Sequence, residues 1–163
     1  LFQQPLPQVL TESLMQPLGA GSSWQWEGYD DPWLDLKGRR VQSVPGGTHW
    51  GAGLRISTRD LARLGQLVLN QGRCGTQQLV PAAWVQQMQQ PSALAPFYGW
   101  LMWLNTDGRH FPGASTRSSF MVGAGGHYVW VEPAHEAVVV VRWLNADQAP
   151  GFMQRVQRAL AGG

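Results

Sequence analysis

The run Ala137–Val141 is aliphatic at all five positions, four of them valine. A strand with no polar face predicts burial on both sides, so helices must cover both faces of the sheet that holds it. The text before it fits the same sheet. Ser118–Val122 reads as a strand and runs into Gly123-Ala124-Gly125-Gly126. His127–Glu132 reads as the next strand, and Gly125-Gly126 is a pair that permits the positive φ angles of a tight hairpin turn. Pro133-Ala134-His135-Glu136 forms a second turn before the aliphatic run. An isolated G-x-G-G is compatible with a plain turn. The plain turn is the commoner use of such a motif; the sharper alternative is a place where small residues let a ligand approach backbone N–H groups. The motif alone does not decide between them.

With 163 residues, 44% of them apolar and 13% charged, the chain has room for one folded domain with a real core. Its formal charge is only +2. Lys37 is the sole lysine, and the arginines are scattered without a basic run, which argues against a nucleic-acid groove. Cys74 stands alone, so no intrachain disulfide forms and the redox compartment stays open. No apolar run approaches the roughly 20 residues of a membrane span. The first methionine is Met15, inside a predicted helix, and no signal peptide is visible; the chain reads as a segment of something longer.

Upstream of the sheet, Leu6–Met15 carries apolar residues at helical spacing, with Pro5 and Pro7 near its start and Gln16-Pro17-Leu18-Gly19 ending it. Residues 20–50 hold no long element, apart from a short hairpin turn expected at Lys37-Gly38-Arg39-Arg40. Such long loops are often functional. Ser57-Thr58-Arg59-Asp60 resembles a capping box with Asp in place of Glu. The helix it opens turns Leu61, Leu64, Gly65 and Val68 to one face and stops at Asn70-Gln71-Gly72. Gln78–Val80 reads as extended. Pro81–Gln89 reads as a helix with Trp84, Val85 and Met88 inward, and Tyr98–Asn105 as a strand. Pro150–Leu160 closes the chain as a helix with Phe152, Val156, Ala159 and Leu160 on one stripe. Helices first, then an antiparallel meander, then a closing helix, is an α+β plan.

Several chemistries are excluded by spacing. His49, His110, His127 and His135 show no zinc pattern, and no phosphate loop or G-x-S-x-G elbow is present. Asp60 and the other carboxylates are scattered and read as solvated or capping groups.

The order of segments resembles the serine β-lactamase and penicillin-binding-protein superfamily, closest to its esterase and 6-aminohexanoate-dimer hydrolase-like branch. The matching text is QPLGAGSSWQWEGYDD, then GGTHWGAGLRISTRDLARLGQLVLNQGRCGTQQLVPAAWV, then YGWLMWLN, then FMVGAGGHYVWVEPAHEAVVVVRWL. The resemblance implies a two-part fold, with an active site between a mostly helical region and an antiparallel sheet flanked by helices. Residues 1–95 would belong to the helical region with its cleft loops. Residues 96–163 would be the last sheet strands and the closing helix, so that the chain is the C-terminal part of a β-lactamase-like fold.

That chemistry needs a serine in S-x-x-K and a tyrosine in Y-x-N, because serine is a weak nucleophile without an adjacent base. Three residues before Lys37 stands Leu34; two residues after Tyr29, Tyr98 and Tyr128 stand Asp31, Trp100 and Trp130. Neither motif exists here, so no nucleophile is assigned to this chain. By the resemblance, Gly123-Ala124-Gly125 stands where the family has its K-T-G-like element, without the lysine or the hydroxyl. Ala124 N–H would be one oxyanion-hole donor, with Gly123 and Gly125 framing it and Gly126 and His127 beside the substrate. His49 and Trp50 lie on a Gly-rich turn that would face the cleft, either lining it or packing as a buried, hydrogen-bonded pair. No cofactor and no metal are implied. The missing lysine disfavours a β-lactam carboxylate and leaves esters or amides as substrates of the parent. The expected partners are an N-terminal half of the same hydrolase or a second copy of the chain. The competing reading is a non-catalytic binding module that keeps the fold without the chemistry.

Overall fold

The computed structural model describes residues 4–26, 31, 33–42 and 53–162. The chain divides into two compact units, Leu1–Asp60 and Leu61–Gly163.

In the first unit, Leu6–Leu10 (α1) continues through a wider turn over Thr11–Met15. The widening shows in Gln16 N–H, which donates five residues back to Thr11 O at 3.0 Å. Gly19, at φ +64°, then ends the helical stretch as expected. Gln25–Trp26 (β1) pairs with Leu54–Arg55 (β4), and Trp33–Leu36 (β2) pairs with Arg39–Gln42 (β3). Lys37 and Gly38 form the two-residue loop of the second pair with φ values of +53° and +76°, the left-handed values a tight hairpin demands. Asp35 Oδ1 accepts from Gly38 N–H and fixes that turn. The cap at Ser57 also forms as read. Ser57 Oγ accepts from Asp60 N–H at 3.1 Å and donates to Asp60 Oδ2 at 2.8 Å.

In the second unit, Thr58–Leu69 (α2) runs on to Gln71 and Gly72, both at positive φ. Arg73–Cys74 (β5) and Gln77–Gln78 (β6) make a small hairpin, one residue earlier than the extended piece read from sequence. Ala82–Met88 (α3) follows Pro81. The main sheet has four antiparallel strands in the order β10-β9-β8-β7: Trp103–Leu104 (β7), Ser119–Gly123 (β8), His127–Glu132 (β9) and Ala137–Val141 (β10). Ala149–Ala161 (α4) closes the chain.

The register sorts the strand residues onto two faces. Trp103, Phe120, Trp130 and Val139 stand in one cross-strand row. Phe120, Trp130 and Val139 pack with Met153 and Val156 of α4. Leu104, Val131 and Met121, on the other face, pack with Val68 of α2 and with Val85 and Met88 of α3. Helices therefore cover both faces, as the aliphatic run demanded. Gly65 is the contact that brings α2 close: a Cβ there would lie 2.6 Å from Val138 and 2.9 Å from Val129. Phe111 stacks on Phe120 at 3.8 Å and Phe120 on Trp130 at 5.9 Å, pairs worth about 0.5–1.5 kcal/mol each beyond their burial. All five residues of β10 are half-buried rather than buried, because β10 is an outer strand among the described residues.

Three expectations are corrected. Tyr98–Asn105 is not an eight-residue strand. Leu101 takes φ +58°, and Tyr98 bridges back to Trp103 within the same stretch. Only Trp103 and Leu104 join the sheet. Trp84 does not point inward with Val85; it is 43% exposed and meets Trp100 edge-on at 5.4 Å. On α4, Ala149 and Met153 are buried and Phe152 and Val156 pack against the same core, but Ala159, read as part of the inner stripe, is exposed.

Candidate functional site

The last cross-strand pair of the β8–β9 hairpin is Gly123 with His127, so Ala124, Gly125 and Gly126 form a three-residue loop. Gly125 and Gly126 take φ +87° and +80°, the positive values the sequence reading required of them. Gly126 is further fixed by packing: a Cβ there would stand 2.0 Å from Leu144 O, and Leu144 N–H donates to Gly126 O at 3.0 Å. The segment after β10 is thus strapped to the loop. The N–H groups of Ala124, Gly125 and Gly126 donate to no backbone carbonyl among the described residues. Gly123, Ala124 and Gly125 are exposed, while Gly126 is half-buried.

Two rings flank the loop. His127 is half-buried, and its Nδ1 is buried without a hydrogen-bond partner. Trp143 meets it edge-on, with centroids 4.4 Å apart at 73°. The indole lies 3.3 Å from where a Cβ on Gly125 would stand. Trp143 itself has φ +59° and is 78% exposed. The expected site residues Gly123, Ala124, Gly125, Gly126 and His127 are consecutive and make up the β8–β9 loop with its two flanking residues. Sequence reading did not single out Trp143, which the sequence separates from them by the whole of β9 and β10. His49 and Trp50 lie outside the described residues.

At the far end of β9 the polar groups are arranged differently. Glu132 is fully buried. It accepts from Ser115 Oγ at 2.6 Å, Ser115 N–H at 3.2 Å, Ser118 Oγ at 2.7 Å and Ala134 N–H at 3.1 Å, and also from Gln157 Nε2. Burial alone would raise its pKa, but the hydrogen bonds from Ser115, Ser118 and Ala134 outweigh it and hold the carboxyl below its ordinary value. Trp130 Nε1 donates to Ser118 Oγ at 2.9 Å and ties the aromatic core to this cluster. Asn105, also fully buried, accepts from Phe111 N–H and donates to the carbonyls of Phe111, Ala114 and Ser115. Glu132 is a capping carboxylate, as read: it caps the Pro133–His135 turn, and it does so from inside the core. Gln71 Oε1, at the end of α2, is a further buried atom without a partner. Among the described residues, no group of three or more His, Cys, Asp or Glu is placed to hold a metal, and no helix is long and apolar enough to cross a membrane.

An antiparallel sheet between helices, with an amide-lined loop at one end, defines an α+β fold of a recognisable kind. No protein-family profile matches the chain, and no curated protein does. Solved structures do. A protein named as a beta-lactamase from Bacteroides dorei DSM 17855 superposes with a TM-score of 0.59 at 15% identity, over 96% of this chain and 51% of that one. A protein named as a 6-aminohexanoate-dimer hydrolase from Bacillus anthracis superposes with a TM-score of 0.65 at 18% identity, over 97% of this chain and 39% of that one. The chain therefore has a β-lactamase-like fold, and only part of one. It spans about half of the first neighbour and two-fifths of the second.

Proposed function

We propose that this chain is the C-terminal segment of a serine acyl hydrolase whose parent cleaves an ester or amide through an acyl-enzyme. The observation that carries the proposal is the β8–β9 loop. Within a β-lactamase-like fold, it presents the amides of Ala124 to Gly126 with no backbone acceptor of their own. An oxyanion donor must be free of the ladder, and Ala124 N–H, on an exposed loop residue and without a backbone acceptor among the described residues, is the donor this reading assigns. The absence of lysine from the loop favours esters and amides over β-lactam carboxylates. Serine nucleophile and tyrosine come from outside these 163 residues, which contain neither S-x-x-K nor Y-x-N. In this reading, residues 1–95 contribute to the helical side of the cleft and residues 96–163 to the sheet side. The partner is an N-terminal half of the same hydrolase, or a second copy. The extra length of the structural neighbours supports the former. No cofactor enters the reaction.

The reading predicts that the purified chain alone does not turn over activated esters and takes no label from a serine-directed fluorophosphonate. Turnover accompanied by a covalent adduct on one of its own serines would overturn it.

A further inference from the structure

Trp143 combines three properties, and a fourth, its contact with the β8–β9 loop, sets it apart from the exposed, positive-φ Leu101. It is a bulky side chain in the left-handed backbone region, at φ +59°. It is 78% exposed. It is nevertheless held in place, because the next residue, Leu144, is hydrogen-bonded to Gly126 O and packs into the aromatic core. Burial does not explain the conformation, since little of the ring is buried. What the conformation achieves is to stand the indole against Gly125 and across the edge of His127. Strain that persists without a packing reward points to a function for the strained residue.

We propose that Trp143 is the wall of the site at the β8–β9 loop, and that it selects acyl compounds carrying a flat apolar group beside the carbonyl. The inference rests on the reading of the loop amides as oxyanion donors. A carbonyl oxygen on Ala124 N–H lies one residue from Gly125, the glycine against which the indole rests. The group attached to that carbonyl then meets the exposed part of the indole, which offers a large rigid surface for stacking. Glycine at position 125 is part of the same arrangement: any Cβ there would intrude between loop and ring.

The test uses the chain itself and two probes, benzoate and acetate, whose carboxylates stand in for the acyl oxygen. Amide resonances of Ala124 to His127 and the indole N–H of Trp143 report binding. Both probes should move the loop amides. Only benzoate should move the indole, and it should bind about 2–10-fold more tightly than acetate. Trp143→Phe should keep most of that preference. Trp143→Ala should abolish it while leaving acetate binding unchanged. Trp143→Gly, which suits the positive φ, should behave as Trp143→Ala does and guards against a folding defect in the latter. A benzoate preference that survives in Trp143→Ala and Trp143→Gly overturns the role of Trp143 alone. Loop amides that respond to neither probe overturn the oxyanion reading and the proposal with it.

Discussion

His127 and Glu132 are the first and last residues of the same six-residue strand, and their surroundings are opposites. Around Glu132, buried donors and acceptors are matched: two hydroxyls, two backbone amides and a glutamine side chain converge on one carboxylate. Around His127, an imidazole nitrogen is buried without a partner, the loop amides beside it find no carbonyl, and a tryptophan is held at positive φ. Matched polar groups fix a structure, and those of Glu132 join the Ser115–Ser118 segment, β9 and α4. Unmatched groups in a well-fixed frame are capacity for something else to bind. One end of β9 is tied into the core by the bonds of Glu132, while at the other the loop amides have no backbone acceptor among the described residues.

The largest effect should come from the matched end. Glu132→Ala leaves five donors facing a void and should cost about 3–5 kcal/mol in urea unfolding, enough to unfold a marginal domain. A cost below about 1 kcal/mol would break the comparison. Acid gives a milder version of the same test. The folded carboxyl sits below its ordinary value, so its contribution is complete above the ordinary carboxylate range and is lost as pH falls through the folded pKa. Melting temperatures of the wild type and of Glu132→Gln should differ at neutral pH and converge on acidification. Parallel curves would show that the carboxylate is not the group responsible.

The glycines of the loop sharpen the contrast from the other end. Gly126→Ala places a Cβ 2.0 Å from the Leu144 carbonyl, backbone that cannot move aside, and adds the cost of its positive φ; about 2–4 kcal/mol is expected. Gly125→Ala meets only side chains, the Trp143 ring at 3.3 Å and His127 Nε2 at 3.5 Å, and should cost about 1–2 kcal/mol, mostly from backbone strain. Thermal unfolding of the two variants separates these cases. Equal costs would mean that the Leu144 strap yields.

How much of this was legible in the sequence follows from where each signal lies. The three strands β8, β9 and β10 emerge within a residue of their reading, because apolar runs bounded by glycine or proline turns are local signals. The Ser57 cap and the Lys37-Gly38 turn are local in the same sense. Leu101 could not be read: nothing local warns that a leucine takes φ +58° and breaks the strand drawn through Tyr98–Asn105. The burial of Glu132 was not legible because its partners Ser115 and Gln157 lie 17 and 25 residues away. Trp143 was missed because its exposure and φ depend on the strap to Gly126, a contact between a loop and the segment beyond β10. At the candidate site the Gly-rich loop was legible as a turn, and the family resemblance supplied the role proposed for it.

If the Ala124 amide stabilises an oxyanion, as proposed, kcat for Ala124→Pro in the proposed full-length parent reports it most directly. Proline removes that N–H and nothing else from the loop's donor set. With an unchanged melting temperature, kcat should fall by about 10²–10³ and KM should change much less, since the donor acts on charge that develops only in the transition state. A stable Ala124→Pro enzyme that keeps nearly full kcat on its best ester or amide would place the donor elsewhere and leave the loop as a turn.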